Sequence, residues 1–191
     1  MGKDLIEKLK GKTVAVVVAH QDDESLYAGG LMTEIAPFSK LVIVSMSKPS
    51  PDRKDTETRQ QGFDQVGELL KATAYTAPYW GGKRDKRTSC ERMVKYLDKL
   101  FKLEQPDAVI THNLKGEAHG HFYHKRTSIV CRILKSKHRY ELYHFAKNLG
   151  RKDYLVSYDV DKKKDLIDCY LPGWKPGCYH FVYRMERFVK A

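Results

Sequence analysis

The chain has 191 residues, 41% of them hydrophobic, and 35 Lys and Arg against 24 Asp and Glu give it a net charge of +11. No apolar run approaches the roughly 18 residues of a membrane helix, the N-terminal run is too short for a signal peptide, and four dispersed cysteines argue against a disulfide framework or a zinc knuckle. The length suits one globular core, so we expect a soluble cytoplasmic protein with a single domain over residues 1–191.

Apolar runs alternate with helical patterns along the first two thirds of the chain. Four runs predict buried strands: 14–19, 41–46, 72–77 and 108–111. Three segments with apolar residues at helical spacing predict helices: 25–35, 54–70 and 87–103. Continuous apolar strands separated by helices indicate a mainly parallel sheet covered on both faces. We therefore predict an α/β fold, a Rossmann-like three-layer sandwich.

The chemistry-bearing residues fall in the first part of this pattern. We expect the catalytic core at about residues 12–135. The aromatic-rich segment 136–191 has a less regular pattern, and we interpret it as added strands or the edge of a subdomain.

Carboxylates follow the first predicted strand directly, in the stretch VAVVVAHQDDESLYAGG. Asp22, Asp23 and Glu24 stand side by side after His20, at the carboxyl edge of the sheet, where open α/β folds bind ligands. Adjacent carboxylates repel one another unless a cation shares the site. Capping of the following helix is the alternative role for Asp23 or Glu24.

A cluster of histidines follows the fourth predicted strand. Thirteen residues hold four of the eight histidines in the chain: His112, His119, His121 and His124. Because both strand ends meet at one edge of the sheet, imidazoles and carboxylates are expected to come together there. Two imidazole nitrogens and a carboxylate, with a fourth position open, form the ligand set of a catalytic zinc site. A single histidine after a strand, in contrast, is more often a hydrogen-bonded structural residue.

These two stretches resemble the sequence motifs of a known family. AHQDDE at Ala19–Glu24 is similar to the AHPDDE motif of the PIG-L/LmbE-like zinc-dependent de-N-acetylases, and THNLKGEAHGHFYH at Thr111–His124 is similar to a second motif of that family. The family includes N-acetylglucosaminyl-phosphatidylinositol deacetylases and the deacetylases of mycothiol and bacillithiol biosynthesis. The resemblance extends through about residue 135, and the last third matches only loosely, through a segment that contains Glu186.

The resemblance assigns roles to five residues. It implies that His20, Asp23 and His124 bind Zn²⁺, with another divalent metal as the alternative. It implies that Asp22 is the general base, and that a protonated His121 assists at the oxyanion or the leaving group. These roles agree with what such side chains do around a metal-activated water.

The resemblance also suggests supporting residues and shows departures from the family. His112 is expected to orient a neighbouring ligand rather than to bind the metal, and Glu117 to hold a loop or a histidine in place. Arg53 and Arg59 are expected near the substrate, although exposed solubilising arginines explain them equally well. Gln21 replaces the usual proline. His119 stands where the family often has tyrosine and is an alternative ligand.

The implied reaction is removal of an acetyl group from an N-acetylated amino sugar, such as an N-acetylglucosamine conjugate, with release of acetate and a free amine. The charge of +11 and a pI near 9.4 favour an anionic carrier, although a basic surface that only aids solubility is an equal explanation. Trp80, Gly81, Gly82 and Trp174 lie in predicted loops, where they either contact such a substrate or pack.

Two other functions remain open. The first is a zinc hydrolase on the same scaffold that cleaves another amide or an ester. The second is a non-enzymatic module that binds nucleic acid or another polyanion around a structural metal, which we do not favour because Asp22 is a spare carboxylate beside the predicted ligands. The sequence does not indicate the oligomeric state.

Overall fold

One seven-stranded sheet organises the computed structural model, which describes residues 3–51, 53–80, 89–115, 121–146, 153–170 and 186–191. The strands are β1 (Thr13–Val18), β2 (Lys40–Ser45), β3 (Thr73–Thr76), β4 (Ala108–Thr111), β5 (Glu141–Phe145), β6 (Asp153–Val156) and β7 (Glu186–Lys190). The helices are α1 (Lys3–Leu9), α2 (Asp23–Ile35), α3 (Thr56–Leu69), α4 (Cys90–Glu104), α5 (Phe122–His138) and α6 (Val160–Asp168).

The strand order across the sheet is β3-β2-β1-β4-β5-β7-β6. The first five strands in this order are parallel, and β7 is antiparallel to both β5 and β6. At the centre, Val16 of β1 pairs with Ile43 of β2 on one side and with Ile110 of β4 on the other. The predicted α/β fold with a mainly parallel sheet is confirmed.

Helices cover both faces of the sheet, which explains why the central strands are apolar throughout. Val16 on one face of β1 packs in a core with Leu31 of α2, whereas Val17 on the other face packs in a second core with Met93 and Leu97 of α4. A strand buried on both faces has no solvent side to make polar, so its sequence shows no alternation. These two cores fix the positions of the strand ends that carry the candidate site.

The last part of the chain adds strands to the sheet, one of the two arrangements that the sequence indicated. A buried ion pair joins this part to α2: Lys163 of α6 lies 2.7 Å from Glu186 of β7, and both side chains are almost fully buried. The two carboxylate oxygens of Glu186 accept the backbone N–H groups of Gly30 and Leu31, at 2.7 and 2.8 Å. These bonds connect β7 and α6 to α2, the helix that begins at the candidate site.

Within the described parts of the chain, none of the helices has the length and hydrophobicity that a bilayer-spanning segment requires.

Candidate active site

The turn between β1 and α2 presents the first group of site residues. Asp22 is the N-cap of α2, and its side chain makes no capping hydrogen bond. Its backbone has φ 120° and ψ −32°, a region that residues other than glycine rarely adopt. The N-cap position therefore belongs to neither Asp23 nor Glu24, although the Glu24 carboxylate accepts the backbone N–H of the N-cap residue.

The carboxylate of Asp23 lies among three imidazoles. Its Oδ2 atom is 3.2 Å from Nδ1 of His20 and 3.4 Å from Nε2 of both His112 and His124. It also accepts the backbone N–H of His20 at 2.9 Å. The β1 and β4 ends of the sheet thus bring together the carboxylate and the histidines that the sequence placed at one edge.

Two overlapping sets of residues have a geometry that suits a metal ion. Among the described residues, one set is His20, His121 and His124, and the other is Asp23, His112 and His124; within each set the ligand atoms lie within 4.8 Å of one another. A donor set of imidazole nitrogens and a carboxylate oxygen matches the preference of Zn²⁺. The residues present therefore fit such a metal.

His112 has hydrogen bonds that favour a supporting position. Its Nε2 atom accepts the backbone N–H of Ala19 at 3.0 Å, and its carbonyl accepts Nδ1–H of His144 at 2.7 Å. An imidazole nitrogen that accepts a hydrogen bond has no second lone pair for a metal. The buried ring stacks on that of His124, with centroids 3.8 Å apart, and so restrains the orientation of His124.

Arg59 contacts the carboxylate of Asp22, and Arg53 lies next to Arg59 through a shared partner, Asp55. Nη1 of Arg59 donates to Oδ2 of Asp22 and to the carbonyl of Gln21, and its Nε donates to Asp55 at 2.8 Å. Arg53 makes a bidentate pair with Asp55, at 2.7 and 2.8 Å. Arg59 therefore lies in the site and holds Asp22, whereas Arg53 lies one contact further out.

Adjacent carboxylates of this turn have opposite pKa shifts. Burial, the negative charge of Asp23 and the proximity of Glu24 raise the pKa of Asp22 well above its usual value, although Arg59 opposes the shift. Burial acts in the same direction on Asp23, but the surrounding imidazoles, with His124 first, outweigh it and hold its pKa well below the usual range. The environments of these two adjacent carboxyl groups thus move their pKa values apart.

Two imidazoles that face the turn, those of His20 and His121, have lowered pKa values. Burial is the main cause that lowers the pKa of His20, and the hydrogen bond to Asp23 opposes it only in part. Burial and the nearby His20 and His124 lower the pKa of His121 to about 4. The direction of this shift favours the neutral ring of His121, and a neutral ring still donates one N–H.

Buried side chains on neighbouring elements support the turn. Oε2 of Glu24 accepts the backbone N–H of Asp22 at 3.0 Å, and its Oε1 accepts hydroxyls of Ser25 and Tyr170 at 2.8 and 2.6 Å. The amide of Gln21 donates to Gln60 of α3 at 2.6 Å and to Thr76 of β3 at 3.1 Å. The sequence interpretation identified no role for Tyr170, which is separated from Glu24 by 146 positions.

Two aromatic rings with adjacent cations lie beside site residues, Trp80 through a hydrogen bond to Tyr123 and Phe122 next to His121 in the chain. We call these two cation–ring pairs the rim of the site. Nζ of Lys48 is 3.8 Å from the ring centroid of Trp80, and the guanidinium carbon of Arg126 is 4.1 Å from that of Phe122. The carbonyl of Trp80 accepts the hydroxyl of Tyr123, whose ring lies 5.9 Å from that of His20. Trp80 and Phe122 are 39% and 55% exposed, so the rim offers both apolar surface and positive charge.

Several residues singled out in the sequence lie outside the described parts of the chain. They are Gly81, Gly82, Glu117, His119 and Trp174.

The sequence of this chain matches a known protein family. A model of the PIG-L family, described as GlcNAc-PI de-N-acetylase, matches residues 15–134. This range includes the histidines and carboxylates of both strand ends. A search of curated protein sequences finds no match.

Solved structures of similar fold include two deacetylases and a hydratase. The zinc inhibited form of teicoplanin deacetylase Orf2 has a TM-score of 0.70 at 10% identity, over 94% of this chain and 98% of that one. N,N′-diacetylchitobiose deacetylase from Pyrococcus horikoshii has a TM-score of 0.65 at 16% identity, over 94% and 79%. GalB, the 4-carboxy-2-hydroxymuconate hydratase from Pseudomonas putida KT2440, has a TM-score of 0.69 at 16% identity, over 90% and 82%. At these identities the likeness shows the fold alone.

Proposed function

Because the chain belongs to the PIG-L family, we propose that it is a metal-dependent hydrolase that removes the acetyl group from an N-acetylated amino sugar. The products are acetate and a free amine. The observation that carries this proposal is the Asp23 carboxylate among three imidazoles, with a separate carboxylate, Asp22, directly beside it. A purely structural metal site gains nothing from that spare carboxylate.

Three residues would hold the metal ion: His20, Asp23 and His124. Zn²⁺ suits this set, and another divalent metal is the alternative. When bound, the metal would polarise the amide carbonyl and lower the pKa of a water molecule toward about 7. His112, through its stacking on His124 and its hydrogen bond from Ala19, would keep the imidazole ligands oriented. The same supporting role is proposed for Glu117.

Asp22 is the proposed general base. Its carboxylate would accept a proton from the attacking water and pass it to the departing amine nitrogen. Arg59 holds one oxygen of this carboxylate and so fixes its direction. His121 lies 4.8 Å from His20 between ring centroids, where its N–H would stabilise the oxyanion or assist the leaving amine.

The substrate is proposed to be an N-acetylglucosamine conjugate with an anionic carrier. Lys48 and Arg126, which lie over aromatic rings at the rim, would attract a negatively charged group near the metal. Arg59 would contact a sugar bound beside Asp22, and Arg53, whose side chain is 52% exposed, would contact the outer part of the conjugate.

A second candidate is another water-activating reaction on the same scaffold, including cleavage of a different amide or an ester. We retain this candidate because proteins of similar fold are described with different reactions, one as a hydratase and another as a deacetylase. A polyanion-binding module without turnover is the third alternative, and it predicts strongly salt-dependent binding of nucleic acid.

A panel of N-acetylglucosamine conjugates tests the proposal. The panel contains neutral, nucleotide-linked, phospholipid-headgroup-linked and polymer-linked members, together with an ester analogue and a DNA oligonucleotide. The protein is loaded with one equivalent of Zn²⁺ rather than an excess, because one neighbouring deacetylase is described as zinc inhibited. We expect equal amounts of acetate and amine, and no release from chelated protein. Ester cleavage alone, or DNA binding without release, would contradict the proposal.

A further inference from the structure

The backbone of Asp22 needs support from its surroundings. Its φ of 120° lies in a region that L residues rarely adopt, so the conformation persists only where neighbouring groups hold it. One of these groups is Glu24, whose Oε2 accepts the backbone N–H of Asp22 at 3.0 Å. The direction of the Asp22 side chain therefore depends on where the Glu24 carboxylate is fixed.

The Glu24 carboxylate is fixed from the far end of α6. Tyr170 donates its hydroxyl to Oε1 of Glu24 at 2.6 Å, and both side chains are almost fully buried. The neighbouring Ser25 hydroxyl also donates to Oε1, at 2.8 Å. Ser25 is part of α2 itself, so among the described residues it is Tyr170 that links this carboxylate to another part of the fold.

A glycine in α3 makes room for the Tyr170 ring. A Cβ atom at Gly62 would lie 2.6 Å from Cδ1 of Tyr170 and 2.8 Å from the carbonyl of Cys169, closer than real contacts allow. The same helix carries Arg59, which donates to the Asp22 carboxylate. Tyr170 thus has two links to Asp22. Its ring packs against α3, which carries Arg59, and its hydroxyl donates to Glu24, which accepts the backbone N–H of Asp22.

We infer that Tyr170 is a positioning residue for Asp22, acting through Glu24. The inference rests on the proposed function and deepens it. The tyrosine hydroxyl orients the Glu24 carboxylate, which keeps the Asp22 amide in its unusual conformation. The carboxylate of Asp22 then stays on Arg59, while that of Asp23 stays among the imidazoles.

Tyr170→Phe tests the inference, because it keeps the buried ring and removes only the hydroxyl. Tyr143→Phe is the matched control, because Tyr143 is also a buried tyrosine that donates to a carboxylate, that of Glu141, at 3.1 Å. Glu141 is the first residue of β5 and so lies at the amino ends of the parallel strands, away from the carboxyl ends that carry the site. We expect Tyr170→Phe to lower kcat about tenfold, the lower end of what loss of a supporting hydrogen bond costs. KM and zinc stoichiometry should stay unchanged, and Tyr143→Phe should keep the wild-type kcat.

Two further measurements separate positioning from general destabilisation. In the Asp22→Asn background, Tyr170→Phe should lower kcat no further, because the group it positions is gone. Amide hydrogen exchange at Asp22 should be faster in Tyr170→Phe than in Tyr143→Phe, in metal-free protein without substrate. Gly62→Ala, which crowds the Tyr170 ring, should change the exchange at Asp22 in the same direction.

The results that would overturn the Tyr170 inference differ from the result that would overturn the proposed function. A kcat for Tyr170→Phe within twofold of the control, loss of zinc together with kcat, or unchanged exchange at Asp22 would overturn the inference. If wild-type protein released no acetate from any conjugate, the proposed function would fail, and the exchange measurement would still decide whether Tyr170 holds Asp22 in place.

Discussion

Neighbouring aspartates in one turn acquire different properties because they face different partners. Asp22 is bonded to Arg59, and Asp23 lies among three imidazoles. Burial and the adjacent carboxylates raise the pKa of Asp22 although Arg59 opposes them, whereas the imidazoles hold the pKa of Asp23 low. Opposite shifts are the pattern expected when one carboxylate handles a proton and the other binds a cation.

The proposed base is tested by Asp22→Asn. The amide keeps the shape of the side chain and cannot accept a proton, so turnover should fall by about 10²–10⁴-fold. Zinc content, measured by elemental analysis, should stay at the wild-type level because His20, Asp23 and His124 are intact. Near-normal turnover in this variant would rule out Asp22 as the base.

The proposed metal ligands are tested by His124→Ala. Loss of one of three protein ligands should remove most of the bound zinc and, with it, the activity. His138→Ala is the control, because His138 ends the same helix, α5, and pairs with Asp98 away from the site. Full zinc occupancy in His124→Ala would show that another group, such as His119, is the ligand.

At the scale of elements, α2 joins the candidate site to the end of the chain. Its first turn carries Asp23, and its middle is bonded to Glu186 of β7, which pairs with Lys163 of α6. Gly30 also lets the ring of Tyr158, which precedes α6, lie against α2, since a Cβ atom at this position would be 2.2 Å from that ring. The added C-terminal elements are therefore packed onto the helix that presents a predicted ligand.

Glu186→Gln measures how firmly this attachment holds. It leaves the buried Lys163 ammonium without its counter-charge, so we expect a loss of about 3–5 kcal/mol in the free energy of unfolding, measured with urea. Glu141→Gln is the control, because its pairs with Lys12 and Lys190 are partly exposed and should contribute about 1 kcal/mol or less. Equal losses in the two variants would contradict a special role for the buried pair.

The sequence predicted those elements whose pattern is strong. β1, β2 and β4 are continuous apolar runs, because both of their faces are buried. Helix α5 was not identified, since its buried face includes Tyr123, His124 and Thr127 rather than a plain apolar stripe. The strands after residue 140 are short and partly antiparallel, so their pattern indicated added strands without fixing their limits.

The sequence predicted the site residues that lie close to strand ends, but not the contacts that other elements make with them. His20, Asp23 and His124 follow or approach strand ends, so the fold alone brings them together. Tyr170 and Arg59 approach the turn through the packing of α6 and α3, and no local pattern indicates that packing. Arg59 was expected near the substrate, and its hydrogen bond to Asp22 is a contact that the sequence did not indicate.

At the scale of the whole molecule, the net charge of +11 admits two interpretations. It either attracts an anionic substrate or only keeps the protein in solution. We also propose that residues 1–191 act as one domain, because a single sheet includes strands from both ends of the described chain.

Salt dependence distinguishes the two interpretations of the charge. If the charge attracts the substrate, KM for an anionic conjugate should rise several-fold between 0.05 and about 0.5 M salt, because ions screen attraction over about a Debye length. KM for a neutral conjugate of the same sugar should change little. Equal responses from the two conjugates would favour the solubility interpretation.

The central claim is that a metal held by His20, Asp23 and His124 supports deacetylation. The most direct measurement is a titration of metal-free protein with Zn²⁺ while acetate release from an N-acetylglucosamine conjugate is followed. We expect activity to rise linearly and to reach its maximum at one zinc per chain, with one amine formed for each acetate. Activity that is independent of zinc, or one tightly bound zinc with no acetate from any conjugate, would contradict the claim.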